Sequence, residues 1–403
     1  MKILSSISYY TPYVSGLTLH VKRLSEALVA QGHLVTVLTN RHLRDLSSED
    51  TLHGVQVIRA SPLVKLSKGF VSWDFIAKSF HLVQKADVIH LNLPQFEGVI
   101  PALFGKLFGK RVVATYHCEV VLPAGFVNRI IELLLTLSNL TTLLLSDRVV
   151  TYTKDFADHC RLLRFVSKKT TYIYPPISVS KINKRVQNII RKKIDKADVV
   201  IGVAARLSAE KGIEYLFEAL PQIKSKIQLS KSKKTKTPLG WPEYEDSPGV
   251  EESRIKIVIA GSLDPVGEKS YKEKILKLVK KYQENIVFLG ELKEEEMGSF
   301  YSLLDVLVLP SINSTEAFGM VQVEAMMMGV PVVASDLPGV RVPVRRTKMG
   351  LIVPCRDARQ LARAIKSIVK NKKNFIKPKS NIEKEFNPAN TLTMYQKIFE
   401  DSR

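Results

Sequence analysis

Short apolar, β-branched runs alternate along this chain with amphipathic stretches of helical period. In the first half, Ile3 to Ser8, Leu34 to Thr39, Val55 to Arg59, Val88 to Leu91, Arg111 to Thr115 and Arg148 to Tyr152 read as strands, with helical patterns between most of them. The clearest helix begins near Gly16, carries Leu17, Val21, Leu24 and Leu28 on one face, and stops at Gly32. The second half repeats the pattern with Val199 to Val203, Ile255 to Ala260, Ile286 to Leu289, Val306 to Leu309 and Val330 to Ala334. Strand-helix alternation predicts parallel, doubly wound sheets. Two of them are expected, because 403 residues exceed what one core ordinarily serves.

Between the halves, the double proline of Tyr174-Pro-Pro-Ile resists regular structure and leads into a basic stretch. We therefore divide the chain into a first domain at 1–175, a basic linker at 176–197, a second domain at 198–385 and a C-terminal helical segment at 386–403. Residues 225–253 are polar, charged and without periodicity, which suits a mobile surface insertion with no assigned chemistry. Doubly wound folds bind ligands at the carboxyl ends of their strands, so a site between the domains is expected.

Apolar residues at 45% and charged residues at 25% are globular proportions and exclude a disordered or fibrous chain. Cys118, Cys160 and Cys355 are scattered, odd in number and without metal-ligand spacing, which implies a reducing compartment. The opening residues read as a strand and not as an export signal. The most apolar window, Ile130 to Leu145, is shorter than the roughly 20 residues that span a bilayer and contains Glu132, Ser138 and Asn139, so it is not expected to be transmembrane.

Charge changes this picture. Sixty Lys and Arg against 39 Asp and Glu leave a net +21, and residues 127–197 alone hold 14 basic and 5 acidic side chains. Such a segment is either a solvated face or a surface for anionic membrane lipid. No zinc knuckle, RNA-binding signature or aromatic-basic platform points to nucleic acid.

The strongest chemical signal is Glu316-Ala-Phe-Gly-Met-Val-Gln-Val-Glu324, which runs into Ala325-Met-Met-Met-Gly-Val-Pro-Val-Val-Ala-Ser-Asp336. Gly319 lets backbone come close, and the residues after it can open a helix whose free amides suit phosphate. If the whole segment were helical, the glutamates would stand about 12 Å apart along the axis. Hydrolytic carboxylate pairs are closer, at about 5 to 9.5 Å, so these two are expected to grip two parts of one long ligand. In Gly202-Val-Ala-Ala-Arg-Leu-Ser-Ala-Glu-Lys-Gly, a strand end supplies Arg206 and a helix start supplies Lys211, two cations that would point at the ligand side. A lone Glu on a helix is usually solvated, but Glu324 sits in an apolar run where unpaired charge is costly. For Arg206 and Lys211 the bland alternative is a surface ion pair with Glu210 or Glu214.

These words resemble the donor site of retaining glycosyltransferases of the GT-B fold, the large family numbered four. The resemblance implies two Rossmann-like domains facing across a cleft, with a nucleoside diphosphate sugar, UDP- or GDP-linked, in the C-terminal half. It places Glu316 at the transferred sugar, Glu324 on the nucleotide ribose, Arg206 and Lys211 on the diphosphate, and the amides around Phe318, Gly319, Met320 and Val321 against diphosphate and sugar. Asn285-Ile-Val-Phe-Leu-Gly-Glu-Leu292 looks like the base-binding turn, with backbone near Leu292 at the nucleobase.

The first domain matches more loosely. Tyr10-Thr-Pro-Tyr-Val-Ser-Gly resembles the family's glycine-rich loop with Ser15 in place of the first glycine and Gly16 in the second position. Asp87-Val-Ile-His-Leu-Asn and Thr115-Tyr-His117 resemble two further segments, and His117 corresponds to the histidine that faces the reacting sugar. Its alternative is a core histidine beside Cys118, and His90 is expected only to support the cleft. By the same resemblance the stretch Pro388 to Phe399 crosses back to the first domain.

The expected activity is hexosyl transfer with retention and no metal or other cofactor; the chain has no Asp-x-Asp motif. The acceptor is expected to be a lipid or glycan hydroxyl, and the protein to be cytoplasmic and peripheral on the inner face of the cell membrane, held there by residues 127–197. Two alternatives stay open: a sugar-nucleotide epimerase of the same fold, and a non-catalytic protein that binds sugar nucleotide or membrane.

Overall fold

The computed structural model describes residues 1–66, 69–195, 197–224, 254–263 and 269–401. The insertion expected at 225–253 lies outside the described residues, as does Lys196 of the basic linker.

The first sheet is built from β1 (Lys2–Ser6), β2 (Leu34–Asn40), β3 (Glu49–Leu52), β4 (Val55–Ala60), β7 (Val88–Leu93), β8 (Arg111–Tyr116), β9 (Arg148–Thr151) and β10 (Thr170–Tyr172). A separate two-stranded hairpin pairs β5 (Val64–Leu66) with β6 (Gly69–Val71). The order in the sheet is β10-β9-β8-β7-β1-β2-β4-β3, parallel except where β3 meets β4. The second sheet, β11 (Val199–Ala204), β12 (Ile255–Ala260), β13 (Ile286–Gly290), β14 (Val306–Leu309), β15 (Val332–Ser335) and β16 (Gly350–Val353), runs β13-β12-β11-β14-β15-β16 and is parallel throughout. Both are Rossmann-like α/β sheets whose order reverses beside the first strand, which opens a crevice at the strand ends.

The predicted strands form within two residues of their expected ends. The first stops at Ser6 and not Ser8, and the strand expected from Val330 begins at Val332. Periodicity did not reveal β3, whose residues are largely exposed and polar, nor the three-residue β10, nor β16, which opens on Gly350. These are edge strands, formed because a neighbour offers hydrogen bonds.

The first helix, Gly16–Ala30, buries Val21, Leu24 and Leu28 and ends before Gly32, whose φ of +84° only a glycine adopts at little cost. Ser15 keeps ordinary extended angles and caps this helix: its hydroxyl accepts from the Thr18 amide, and the Thr18 hydroxyl accepts from the Ser15 amide. The interval 176–197 is not a bare linker, for it contains the helix Lys184–Ile194 with Ile190 and Ile194 buried. The last helix, Pro388–Glu400, packs Tyr395, Ile398 and Phe399 into the core of the first sheet beside Val113 and Val150. Arg111 also donates to the Ile398 carbonyl at 2.8 Å.

The apolar helix is longer than the window Ile130 to Leu145 indicated. It runs Phe126–Leu145, twenty residues, long and apolar enough to cross a bilayer by length and composition, with only 17% of its apolar stretch buried. One side, Asn139, Thr142 and Leu143, seats it on the domain. Phe126, Ile130, Leu133, Leu134, Leu137 and Leu144 are exposed.

Candidate functional site

The carboxyl ends of the second sheet gather most of the predicted residues. β14 ends at Leu309, and a loop carries Glu316 to Gly319, whose φ is +75° and whose absent Cβ would lie 2.4 Å from the Leu309 side chain. The helix Met320–Met327 begins there. In its first turn Gln322 bonds the Gly319 carbonyl at 3.1 Å, while the amides of Met320 and Val321 precede the helix's own bonding pattern, which makes this helix start a seat for anionic oxygen. The segment from Glu316 to Glu324 is thus not wholly helical: Glu316 stands in the loop and Glu324 in the second turn of the helix. Met326 and Met327 are buried packing residues on its far side.

Arg206 follows β11, and Lys211 closes a short turn at Ala209–Lys211. Gly212, at φ +59°, presses this turn against the loop after β14; a Cβ there would sit 2.4 Å from the Pro310 carbonyl. In consequence the Lys211 ammonium meets Glu316 Oε2 at 2.6 Å. Its partner is neither of the glutamates that a surface pair would have used, since Glu214 accepts from Tyr271 instead. Arg206 donates to the Tyr13 hydroxyl at 2.5 Å and also forms the i,i+4 ion pair with Glu210, at 3.8 Å, that the bland alternative named. Leu292 follows β13 two residues after Gly290, half-buried against the same core.

Phe318 does not turn its ring toward the cleft. It is buried between Tyr152 of the first domain, Tyr174 of the connection and Phe386, with centroids 5.8, 5.7 and 6.0 Å away. Only its backbone, with those of Gly319, Met320 and Val321, is placed to meet a ligand. Glu324 is buried and doubly held, accepting from the Tyr301 hydroxyl at 2.8 Å and from Arg23 at 2.9 Å. The charge in the apolar run is therefore compensated.

The first domain faces this loop. Its Glu119 amide donates to the Ser314 carbonyl at 3.2 Å, and a Cβ on Gly16 would meet Met320 Cε at 3.7 Å. Cys118 lies beside Glu316 and Lys211; burial and then the Glu316 carboxylate push its thiol up to about 12. His117, adjacent in sequence, is buried, with Nδ1 at 2.5 Å from the Tyr152 hydroxyl and Nε2 at 3.1 Å from Asn92 Oδ1. Burial, then the nearby His90, holds its pKa well below the usual imidazole value, so the ring is neutral. His90 bonds Thr115 at 2.8 Å and packs on Tyr395 and Phe399 under the last helix, and burial lowers it to about 3.

Several residues of this site carry no sequence signal. His20 stacks edge-on against His117 at 4.7 Å, and Tyr152 and Tyr301 orient His117 and Glu324 from remote parts of the chain. Arg23 reaches the second domain from the first helix. Arg23 reads as one more polar position of an amphipathic helix. Tyr13, inside the loop word, was legible only as part of that word. Among the described residues no group of three or more His, Cys, Asp or Glu side chains is placed to hold a metal ion.

Two family descriptions match the chain in succession: Glycosyltransferase Family 4 over residues 14–181 and Glycosyl transferases group 1 over residues 185–385. The chain is 28% identical over 378 residues to an uncharacterized glycosyltransferase of Methanocaldococcus jannaschii, covering 88% of this chain and 85% of that one. It is 23% identical over 348 residues to the alpha-monoglucosyldiacylglycerol synthase of Streptococcus pneumoniae, covering 82% and 70%. Among solved structures, Anabaena HepE in complex with UDP-glucose aligns over 100% of both chains with a TM-score of 0.73 and 17% identity.

Proposed function

Since the chain belongs to the glycosyl transferases of group 1, with the GT-B fold and sugar transfer that this entails, we propose that it moves a hexose from a UDP- or GDP-sugar to a lipid or lipid-linked hydroxyl, with retention and without a metal. The observation that carries this reading is the convergence of Arg206, the Lys211–Glu316 pair and the helix start at Gly319 at one edge of the cleft, opposite His117.

In this reading the diphosphate rests on the amides of Met320 and Val321 and on Arg206 and Lys211, which meet the charge that grows as the anomeric C–O bond breaks. Glu316 holds the transferred sugar, Glu324 the ribose, and backbone at Leu292 the base. The acceptor oxygen forms the new bond to the anomeric carbon, and its proton leaves with the nucleoside diphosphate. His117, neutral and held on both ring nitrogens, shapes the sugar pocket and does not act as an acid. Contact between the domains excludes water and suppresses hydrolysis of the donor.

The helix Phe126–Leu145 supports a lipid acceptor. Its exposed face, Phe126, Ile130, Leu133, Leu134, Leu137 and Leu144, is continuous at helical spacing. Arg129 stands on the same helix, and Lys169 donates to the Leu144 and Ser146 carbonyls at its end. An apolar face with basic flanks lies flat at an anionic bilayer surface and brings the first domain to its acceptor. The Streptococcus relative is by name a monoglucosyldiacylglycerol synthase, whose product is a glycolipid, which agrees with this chemistry.

The test is mass spectrometry of the purified protein incubated with a panel of UDP- and GDP-sugars and membrane lipid extract, beside Glu316→Ala. A new glycolipid that depends on Glu316 and forms in EDTA is expected. A donor sugar epimerised without an acceptor would replace transfer by the epimerase reading, and a product made equally by Glu316→Ala would remove the assigned role of that residue.

A further inference from the structure

Arg23 ties the first domain, the connection and two carboxylates of the second domain together. It projects from the helix Gly16–Ala30, and each of its three nitrogens has its own acceptor: Nε donates to Glu294 Oε1 at 2.7 Å, one terminal nitrogen to Glu324 Oε1 at 2.9 Å, and the other to the Pro176 carbonyl at 3.3 Å. Lys22 adds a second cation on Glu294 at 2.7 Å. The guanidinium is 10% exposed and the Glu324 carboxylate 6%, so the pair lies in a poorly solvated interface, where removing one partner strands the other.

The arrangement is specific to the guanidinium. Its planar fork offers donors in three directions, whereas a lysine at the same position could serve one carboxylate and would leave the other buried charge with less support. Burial works against the charge of Glu294, but Arg23 and Lys22 outweigh it and hold its carboxyl below the usual range. Burial likewise opposes the charge on Arg23, and Glu324 and Glu294 reverse that effect.

Glu324 is oriented by two donors from different places. Tyr301 belongs to its own domain and holds Oε2 whatever the domains do; Arg23 belongs to the other and holds Oε1 only while the domains keep this mutual position. A carboxylate accepts about four hydrogen bonds, so both oxygens retain capacity for ligand hydroxyls. We propose that Arg23 is a positioning residue of the donor site, which fixes the Glu324 carboxylate for the nucleotide ribose only in the closed arrangement and thereby couples donor binding to domain closure. The inference rests on the assignment of Glu324 to the ribose made above. Coupling of this kind is reciprocal: whatever Arg23 adds to donor affinity in the closed state, bound donor adds to closure.

The experiment uses the full chain and titrates both UDP and GDP by calorimetry, following whichever the wild-type protein binds, in wild type, Arg23→Met, Arg23→Lys, Glu324→Gln and the Arg23→Met/Glu324→Gln double variant. Small-angle scattering is recorded with and without that nucleotide. Arg23→Met is expected to weaken the nucleotide about 10- to 100-fold, to raise the donor KM by a similar factor with kcat within about threefold, and to enlarge the ligand-free radius of gyration. Arg23→Lys falls between Arg23→Met and wild type. Because Arg23 acts through Glu324, the double variant binds nucleotide no more weakly than Glu324→Gln alone.

Additive losses in the double variant, or nucleotide affinity within twofold of wild type in Arg23→Met beside a defective Glu324→Gln, would overturn the role of Arg23 and leave Glu324 in place. Unchanged affinity in Glu324→Gln would overturn the ribose assignment and this inference with it. Should Arg23→Met fail to fold, Glu294→Gln, which loosens the guanidinium without touching Glu324, is expected to weaken the nucleotide several-fold, and an unchanged affinity there counts against the proposal.

Discussion

Lys211 and Glu316, separated by one hundred and four intervening residues, form a 2.6 Å ion pair at the carboxyl edge of the second sheet. Two features bring them together: Gly212, which admits the left-handed turn that presses Lys211 onto the loop after β14, and that loop, which delivers Glu316 before the helix at Met320 begins. In the proposed reading, each holds the other ready for a ligand that carries both a negative diphosphate and a hydroxylated sugar.

The pair predicts separable kinetic effects. Lys211→Ala removes a cation that meets developing charge and is expected to lower kcat about 100- to 1,000-fold, the usual consequence of deleting one such group. Glu316→Gln keeps the shape of the site and should lower kcat/KM by a similar factor, with a melting temperature within a few degrees of wild type. Steady-state kinetics beside scanning calorimetry checks both; a large loss of stability in Glu316→Gln would mean that the pair is chiefly structural.

Gly319→Ala tests the loop. The residue sits at φ +75°, and its new Cβ would be driven into Leu309. A cost of about 1 to 3 kcal/mol in unfolding free energy is expected for a non-glycine residue held there, together with weaker nucleotide binding as the helix start shifts. Urea unfolding and nucleotide titration read the two effects; unchanged affinity would show that the amides of Met320 and Val321 do not seat the diphosphate.

Stability should fall with acid below neutrality. Burial holds His20, His90 and His117 below the ordinary histidine value, His90 at about 3. Below about pH 6.5 the unfolded chain therefore binds protons that the folded chain refuses, each histidine removing about 1.4 kcal/mol per pH unit. Glu97 opposes this: burial raises it to about 7, so the folded chain keeps a proton there that the unfolded chain has lost. The net is roughly two protons, or about 2.7 kcal/mol per pH unit, between pH 6 and pH 5. Urea midpoints across this range measure it, and a flat profile contradicts the burial of these rings as neutral groups.

Leu133→Asp/Leu137→Asp charges the exposed face of the helix Phe126–Leu145 without touching its buried side. Sedimentation with vesicles containing anionic lipid should drop about tenfold or more while the melting temperature stays within a few degrees, because no buried contact is lost. Wild-type binding should also weaken as salt rises, since part of the attraction is screened. Equal sedimentation of wild type and variant would remove this helix from membrane contact.

The two domains, most of their strands, the first helix and its stop at Gly32 were legible in the sequence because each is a local matter: apolar period, turn chemistry and the conformational freedom of one glycine. The words around Glu316, Glu324, Arg206 and Lys211 were legible for a related reason, as anion-binding chemistry placed where a strand gives way to a helix leaves a compact signature. Local patterning also had clear limits. It stopped the apolar helix four residues short, passed over the edge strands β3, β10 and β16, and treated 176–197 as a linker where a helix forms, since each of these depends on what the segment packs against.

By itself, then, the sequence determined the fold class and the compact words, around Arg206, Lys211, Glu316 and Glu324, for which a donor role is proposed. Only the tertiary structure decided which charges meet. Lys211 faces Glu316 and not Glu214, Glu324 takes Arg23 from the other domain, and His117 is held by Tyr152 and Asn92. The physical reason is that Coulomb and hydrogen-bond energies fall off over a few ångströms, while the partners lie tens to hundreds of residues apart, so their pairing exists only once both sheets have formed and closed on each other.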